Sequence, residues 1–453
     1  MSESPYNLEG LPAIRAGAAQ TVITPPTGIN LAGYYHERIA ETVRDDLHCR
    51  ALVLEHAGER IALVSLDLIS VVDEWVAEAK SLIEERVGLP PERVLICATH
   101  THTGPGVRPG RDNFPEEWLA ELPGRIADTV EAAAGDMFDA VLMLGREEEA
   151  CLASNRLGRT RDGTEVFSKE NVIDHAGPVD PELQAIGVRD LEGTLRALVV
   201  NYGMHVDVIG GGGADFISAD WPGVMAEAVA GVYGEGVVTM LLNGACGDIN
   251  HRLWGETRQP IEGIYKAIQM GRTYAGLAMA AIERGEPIES AQVGATLRTL
   301  QIPYYTREPR FMAFVDELRA KPEREYFEDA TIRSVDRWDK DGQIADVPVQ
   351  VLRFGDLMFV GLPGEFFTRW GMEIKHWSPT PWTFVIELAN DAVGYVPTTD
   401  QAERMGYGAR PILSRRLVSD AGRQIVDAAQ VMMWEIVGTG NGEWGTGNNR
   451  GNG

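Results

Sequence analysis

The residues best suited to chemistry in this sequence stand at the ends of apolar runs. Thr99-His100-Thr101-His102-Thr103-Gly104-Pro105-Gly106 follows the run Val94-Leu-Ile-Cys-Ala98. Two histidines two apart on an extended backbone point to one face, and imidazole is the commonest metal-ligating side chain. The small Thr and Gly neighbours leave room for an ion or ligand. A pair of hydrogen-bonded surface histidines would read the same way. His205 closes a second run, Val199-Val-Asn-Tyr-Gly-Met-His205, ahead of four glycines at 210–213 and the segment Ile217-Ser-Ala-Asp220-Trp-Pro-Gly. Such a loop allows close backbone approach to a ligand, although a structural histidine fits equally well.

Three further segments carry polar groups in similar positions. Leu242-Asn-Gly-Ala-Cys246-Gly-Asp248-Ile-Asn250-His251 has glycines for a tight turn whose N–H groups could face an anion, or Asp248 could simply cap a helix. Glu365, in Val360-Gly-Leu-Pro-Gly-Glu365-Phe-Phe, precedes a helical stretch, where a carboxylate either caps the helix or binds a metal. In Leu388-Ala-Asn390-Asp-Ala-Val-Gly394-Tyr395, a turn with a packed Tyr is the default. Asp67, Asp220 and Asp248 read equally as carboxylates supporting a site or as turn and cap residues, and His36, His48 and His251 are additional histidines that could reach it.

The elements that must position these groups alternate in type. Residues 50–55 and 60–67 read as adjacent strands split by Ala57-Gly58. Residues 71–87 read as a helix ending at Gly88, 94–98 as a buried strand, 116–134 as a helix with Pro123 as a candidate break, and 140–145 as a strand. Strands at 195–202 and 236–242, a helix at 265–283 and a charged helical excursion at 310–336 follow. Strands at 347–354, 357–362 and 383–388 and a helix at 419–437 complete the pattern. This is the signature of a single large layered α/β domain, with sheets sandwiched between helices, over residues 1–437, followed by a flexible Gly/Asn-rich tail at 438–453.

Composition narrows the function. In 453 residues, Lys+Arg 41 against Asp+Glu 67 gives a net charge of −26, which argues against a nucleic-acid partner. No apolar run is long enough for a transmembrane segment. The N-terminus lacks the pattern of a secretory signal, and Cys49, Cys97, Cys151 and Cys246 show no paired spacing, so reduced thiols and a cytoplasmic location are expected. A small-molecule substrate and a homo-oligomer are compatible with these features.

Taken together, the five motifs resemble the neutral (non-lysosomal) ceramidase family over about residues 17–410, most densely at HTHTGPG and the PGE turn. The resemblance implies Zn2+ held by His100, His205, Glu365 and the hydroxyl of Tyr395. It implies that His102 addresses the substrate or the activated water, and that Arg156, in Asn155-Arg156, sits in the active site. The family's Gly-Asp-x-Ser motif is here Gly247-Asp248-Ile249-Asn250, so Asn250 stands where a functional serine is expected, and the resemblance would place the start of the family's C-terminal immunoglobulin-like domain where this sequence ends. The reaction so implied is attack of metal-activated water on an amide, with Tyr395 and Arg156 stabilising the oxyanion. Asn250 can offer hydrogen bonds but no nucleophile. A zinc hydrolase of a polar, sugar-derived ester or glycoside is the alternative, and a non-catalytic metal-binding protein the third reading.

Overall fold

A computed structural model of the chain describes residues 5–6, 9–109, 112–148, 152–167, 171–210, 213–251 and 261–438. Of the expected tail at 438–453, Gly438 ends a helix and the rest lies outside these residues, as do Cys151 and the middle of the four-glycine loop. The scaffold is a nine-stranded mixed sheet. Its strands run in the spatial order Val238–Asn243, Leu195–Tyr202, Glu182–Asp190, Phe138–Glu148, Ile14–Val22, His48–His56, Glu59–Leu66, Val94–Ala98, with Glu286–Pro287 added beside Phe138–Glu148. The outermost pair at each end is parallel and the central pairs are antiparallel.

The sheet curves until residues from its two ends meet. Ser65 Oγ donates to the Leu241 carbonyl at 2.6 Å, and Asn243 Nδ2 donates to the Thr99 carbonyl at 3.1 Å. Curvature therefore brings the C-terminal ends of Val94–Ala98 and Leu195–Tyr202 to one place, although several strands separate them along the sheet. Parallel strands commonly keep their sites at such ends. Val94–Ala98 is buried throughout, because both of its faces are covered, and this explains its unbroken apolar run.

Helices Asp73–Val87 and Glu116–Gly135 cover one half of the outer face, and Trp221–Tyr233 and Gly263–Glu283 cover the other. Against the inner face packs a second sheet, ordered Val293–Pro303, Ile344–Phe354, Leu357–Gly361, Trp382–Ile386. Its Leu352, Phe354, Phe359 and Phe384 join Leu54, Leu63, Leu95 and Val199 of the large sheet in one core. Helices Thr368–His376 and Ala421–Gly438 close the far side. The expected α/β layering is thus present, with both sheets between helical layers.

Local sequence explains several boundaries and one departure. Ala57 and Gly58 both take positive φ (52° and 82°), as a two-residue turn between twisted strands requires. Pro123 does not break its helix, which runs unbroken from Glu116 to Gly135. A proline in a helix interior costs about 3 kcal/mol, but Trp118, Leu122, Ile126 and Val130 bury one face of this helix and outweigh that cost. The charged excursion divides into two helices, Pro309–Ala320 and Tyr326–Asp336.

Candidate metal centre

The HTHT segment leaves the Val94–Ala98 strand and pairs with the chain just after His205. Thr101 and Val206 form a parallel bridge, and the His102 N–H donates to the Val206 carbonyl at 3.0 Å. The hydroxyls of Thr101 and Thr103 both donate to the Ser218 carbonyl at 2.8 Å, fixing the segment from below. The backbone is not simply extended here, because His100 has φ +76°. That left-handed geometry costs a residue with a Cβ on the order of 1–2 kcal/mol, and it turns the His100 ring toward His205.

The donors converge. His100 Nε2 lies 3.3 Å from His205 Nε2, 3.3 Å from His102 Nε2 and 3.4 Å from Glu365 Oε2, and His205 Nε2 is 3.8 Å from the same carboxylate oxygen. Nδ1 of His100 faces the Ile69 carbonyl at 2.7 Å, and Nδ1 of His205 faces the Cys246 carbonyl at 3.0 Å. A carbonyl only accepts, so both Nδ1 atoms carry hydrogen, and in the neutral rings both Nε2 lone pairs point inward. Two lone pairs and a carboxylate oxygen then face one another in a buried space. A proton there could serve only one pair of them, whereas a cation satisfies all three. Donors about 2.0–2.1 Å from a tetrahedral zinc stand about 3.3–3.4 Å apart, close to the spacing seen. His100, His102 and His205 form a buried group that could hold a metal ion.

Glu365 reaches this point from the second sheet. It pairs in parallel register with Tyr395 in the short ladder of Glu365–Phe366 and Tyr395–Val396, which sets the Tyr395 hydroxyl beside its carboxylate. Gly247 permits the approach, since a Cβ there would lie 2.6 Å from the Glu365 carbonyl oxygen. Glu365 does not cap the following helix. The Thr368 N–H donates instead to Asp248 Oδ1 at 2.7 Å, so Asp248 is a cap reached across the chain. The turn around Gly247 holds no anion nest, because the Cys246 N–H donates to Glu387 and the Gly247 N–H to the Phe366 carbonyl. Asp220 caps its own helix, accepting from the Trp221 N–H at 2.6 Å.

Burial and neighbours set the charges. Burial alone would lower the His100 imidazole, but Glu365 beside it raises it to about 9. His102 is lowered to about 3 by burial and then by His100. Burial, Arg156 and His100 hold His205 well below its ordinary value. Burial works to raise Asp207, but His251, His205, His102 and Arg156 hold it well below the usual carboxylate range. Burial, followed by Glu365 and Tyr407, pushes the Tyr395 hydroxyl well up, so it keeps its proton.

Of the residues singled out in the sequence, His100, His102, His205, Glu365 and Tyr395 come together. Arg156 stands beside them, its guanidinium 4.1 Å from the centre of the Tyr407 ring and 3.9 Å from Asp207, and Tyr407 Oη lies 3.4 Å from Tyr395 Oη. Asn250 pairs with Ser154 in a two-residue bridge, where its carbonyl accepts the Ser154 hydroxyl at 3.4 Å. Its neighbour His251 turns to Asp207 at 3.2 Å. His48 and Asp67 belong to a separate buried cluster with Arg50, and His36 packs on Tyr34 and Tyr326. Sequence reading missed Asp207, Tyr407 and Glu387. Only Asp207 carried a signal, standing two residues beyond His205.

No family profile and no curated protein matches the sequence. Solved structures do. The neutral ceramidase from Pseudomonas aeruginosa is similar at 18% identity and a TM-score of 0.73, over 94% of this chain and 75% of that one. A ceramidase complexed with C2 is similar at 17% identity and a TM-score of 0.72, over 94% and 76%. The chain therefore has the neutral-ceramidase fold, as its motifs led us to expect.

Proposed function

We propose that the chain is a zinc-dependent hydrolase that cleaves an amide (N-acyl) bond. The carrying observation is the convergence of His100 Nε2, His205 Nε2 and Glu365 Oε2 in a buried space, where a bound cation would satisfy all three at once. The neutral-ceramidase fold supports the choice of bond. Zinc bound there would supply Lewis acidity and activate water near neutral pH.

The chain's own groups supply the rest. His100, His205 and Glu365 hold the ion, and the Tyr395 hydroxyl completes the set or donates to the substrate carbonyl oxygen. Arg156 Nε and Nη2 are buried without hydrogen-bond partners, so this guanidinium is available to the oxygen on which charge develops. His102 stands neutral and can orient water or carry a proton to the leaving nitrogen. Ionised Asp207 keeps Arg156 and His251 in place. The site is read as taking a small-molecule substrate. No described helix is long and apolar enough to cross a membrane.

One observation favours a polar substrate, as in a hydrolase of a sugar-derived ester or glycoside. Beside Arg156 and Tyr407 lies a cavity of about 150 Å³ whose lining includes Asn155, Asp248, Arg369 and Asp400. The experiment is hydrolysis of a panel of N-acyl sphingosines, N-acetylated amino sugars and sugar esters, with and without chelator. Chelator-sensitive release of an amine supports the amide reading, and release from sugar esters alone replaces it with the second. Activity that chelator leaves untouched contradicts both.

A further inference from the structure

We infer that Glu387 is a positioning residue for the metal centre, acting through Cys246 on His205. The inference rests on the metal reading above and concerns a carboxylate that reading does not use. Glu387 ends the run of the Trp382–Ile386 strand and is fully buried, as are Cys246 and His205. Its backbone N–H donates to the Asn243 carbonyl at 3.0 Å. Its side chain accepts the Cys246 N–H on Oε2 at 3.1 Å and the Cys246 thiol on Oε1 at 2.9 Å. One residue of the second sheet thus grips both ends of the turn 243–246 that leaves the large sheet.

The last link is the Cys246 carbonyl, which accepts the His205 Nδ1–H at 3.0 Å. That bond selects the tautomer whose Nε2 lone pair faces the ion, and it fixes the rotation of the ring. A metal-bound imidazole depends on the partner of its other nitrogen, and loss of such a partner typically weakens metal binding about 10–100-fold. Here the partner is a backbone carbonyl on a short glycine-flanked turn, which has little stiffness of its own. Glu387 supplies the stiffness. The arrangement also accounts for Cys246, whose thiol is buried against a carboxylate and unavailable as a nucleophile.

The test is zinc affinity by competition with a chromophoric chelator, read beside the absorption spectrum of the cobalt-substituted protein. Glu387→Leu should bind zinc about 10–100-fold more weakly and change the cobalt bands. Glu387→Gln, which keeps an acceptor for the Cys246 N–H, should stay within about threefold of wild type, and so should Cys246→Ala, which keeps that backbone bond. Wild-type affinity and spectrum in folded Glu387→Leu would overturn the inference. If Glu387→Leu does not fold, nitrogen-15 NMR of the wild-type histidines decides. Hydrogen on His205 Nδ1 with zinc on Nε2 is expected, and the reverse overturns it. A wild type that takes up no zinc would remove the metal reading itself, a result distinct from either.

Discussion

Two buried polar clusters behave oppositely. In the first, Arg50 Nη1 meets Asp67 Oδ2 at 2.7 Å and the His48 N–H joins the same oxygen at 2.9 Å, so donors meet an acceptor and opposite charges pair. In the second, Nε2 of His100, Nε2 of His205 and Oε2 of Glu365 crowd one point, where a proton on His100 serves only one pair of the three. Both are buried and both stand at strand ends. A structural cluster sets a cation against an anion and donors against an acceptor, whereas a metal site collects groups that have little reason to approach one another without the ion.

Substitutions should separate the two. The largest effect is expected for His205→Ala, which should lose bound metal and reduce turnover below detection while keeping the fold, as measured by metal analysis and circular dichroism. Asp67→Ala should do the reverse. It strands the Arg50 charge in the interior, costs about 3–5 kcal/mol in chemical denaturation and leaves metal content unchanged. Metal loss in Asp67→Ala would break the distinction between the clusters.

Arg156→Met and Tyr395→Phe test the groups that stand around the His100, His205 and Glu365 donors. Each should lower kcat by about 10²–10³, equivalent to about 2.7–4 kcal/mol. Metal should be retained in Arg156→Met. Steady-state kinetics on the substrate found by the panel provide the measurement.

The smallest effect concerns Lys80, a third buried polar group, whose amine meets the neutral Gln350 Oε1 at 3.4 Å. Burial lowers this amine to about 7 from 10.5. Between these values the unfolded chain binds more protons than the folded one, so the Lys80 contribution to stability rises with pH from 7 to 10.5 and is lowest below 7. Lys80→Met should therefore stabilise the protein by about 1–3 kcal/mol at pH 6, with the gain shrinking toward pH 10. Urea denaturation at the two pH values measures this, and an equal gain at both would contradict it.

Much of the site was legible because its groups end apolar runs. His100, His205 and Glu365 each follow a strand whose pattern is plain in the sequence, and small residues around them mark close approach. The curvature that joins the ends of the large sheet was not legible, since it depends on contacts such as Asn243 with Thr99 between residues 144 apart. Glu387 was hidden for the same reason. It lies within an apolar strand run, and its partner Cys246 is 141 residues away. The turn at His100 was hidden differently. Alternation of side chains predicts a shared face for His100 and His102, but their approach depends on a positive φ that no pattern of residue types at that position announces.

The central claim is tested most directly by the zinc stoichiometry of the wild-type protein after dialysis against chelator and reconstitution. The account predicts one tightly bound ion per chain, retained through gel filtration. A folded wild type that passes through the same column without zinc, and takes up no other divalent metal, would contradict it.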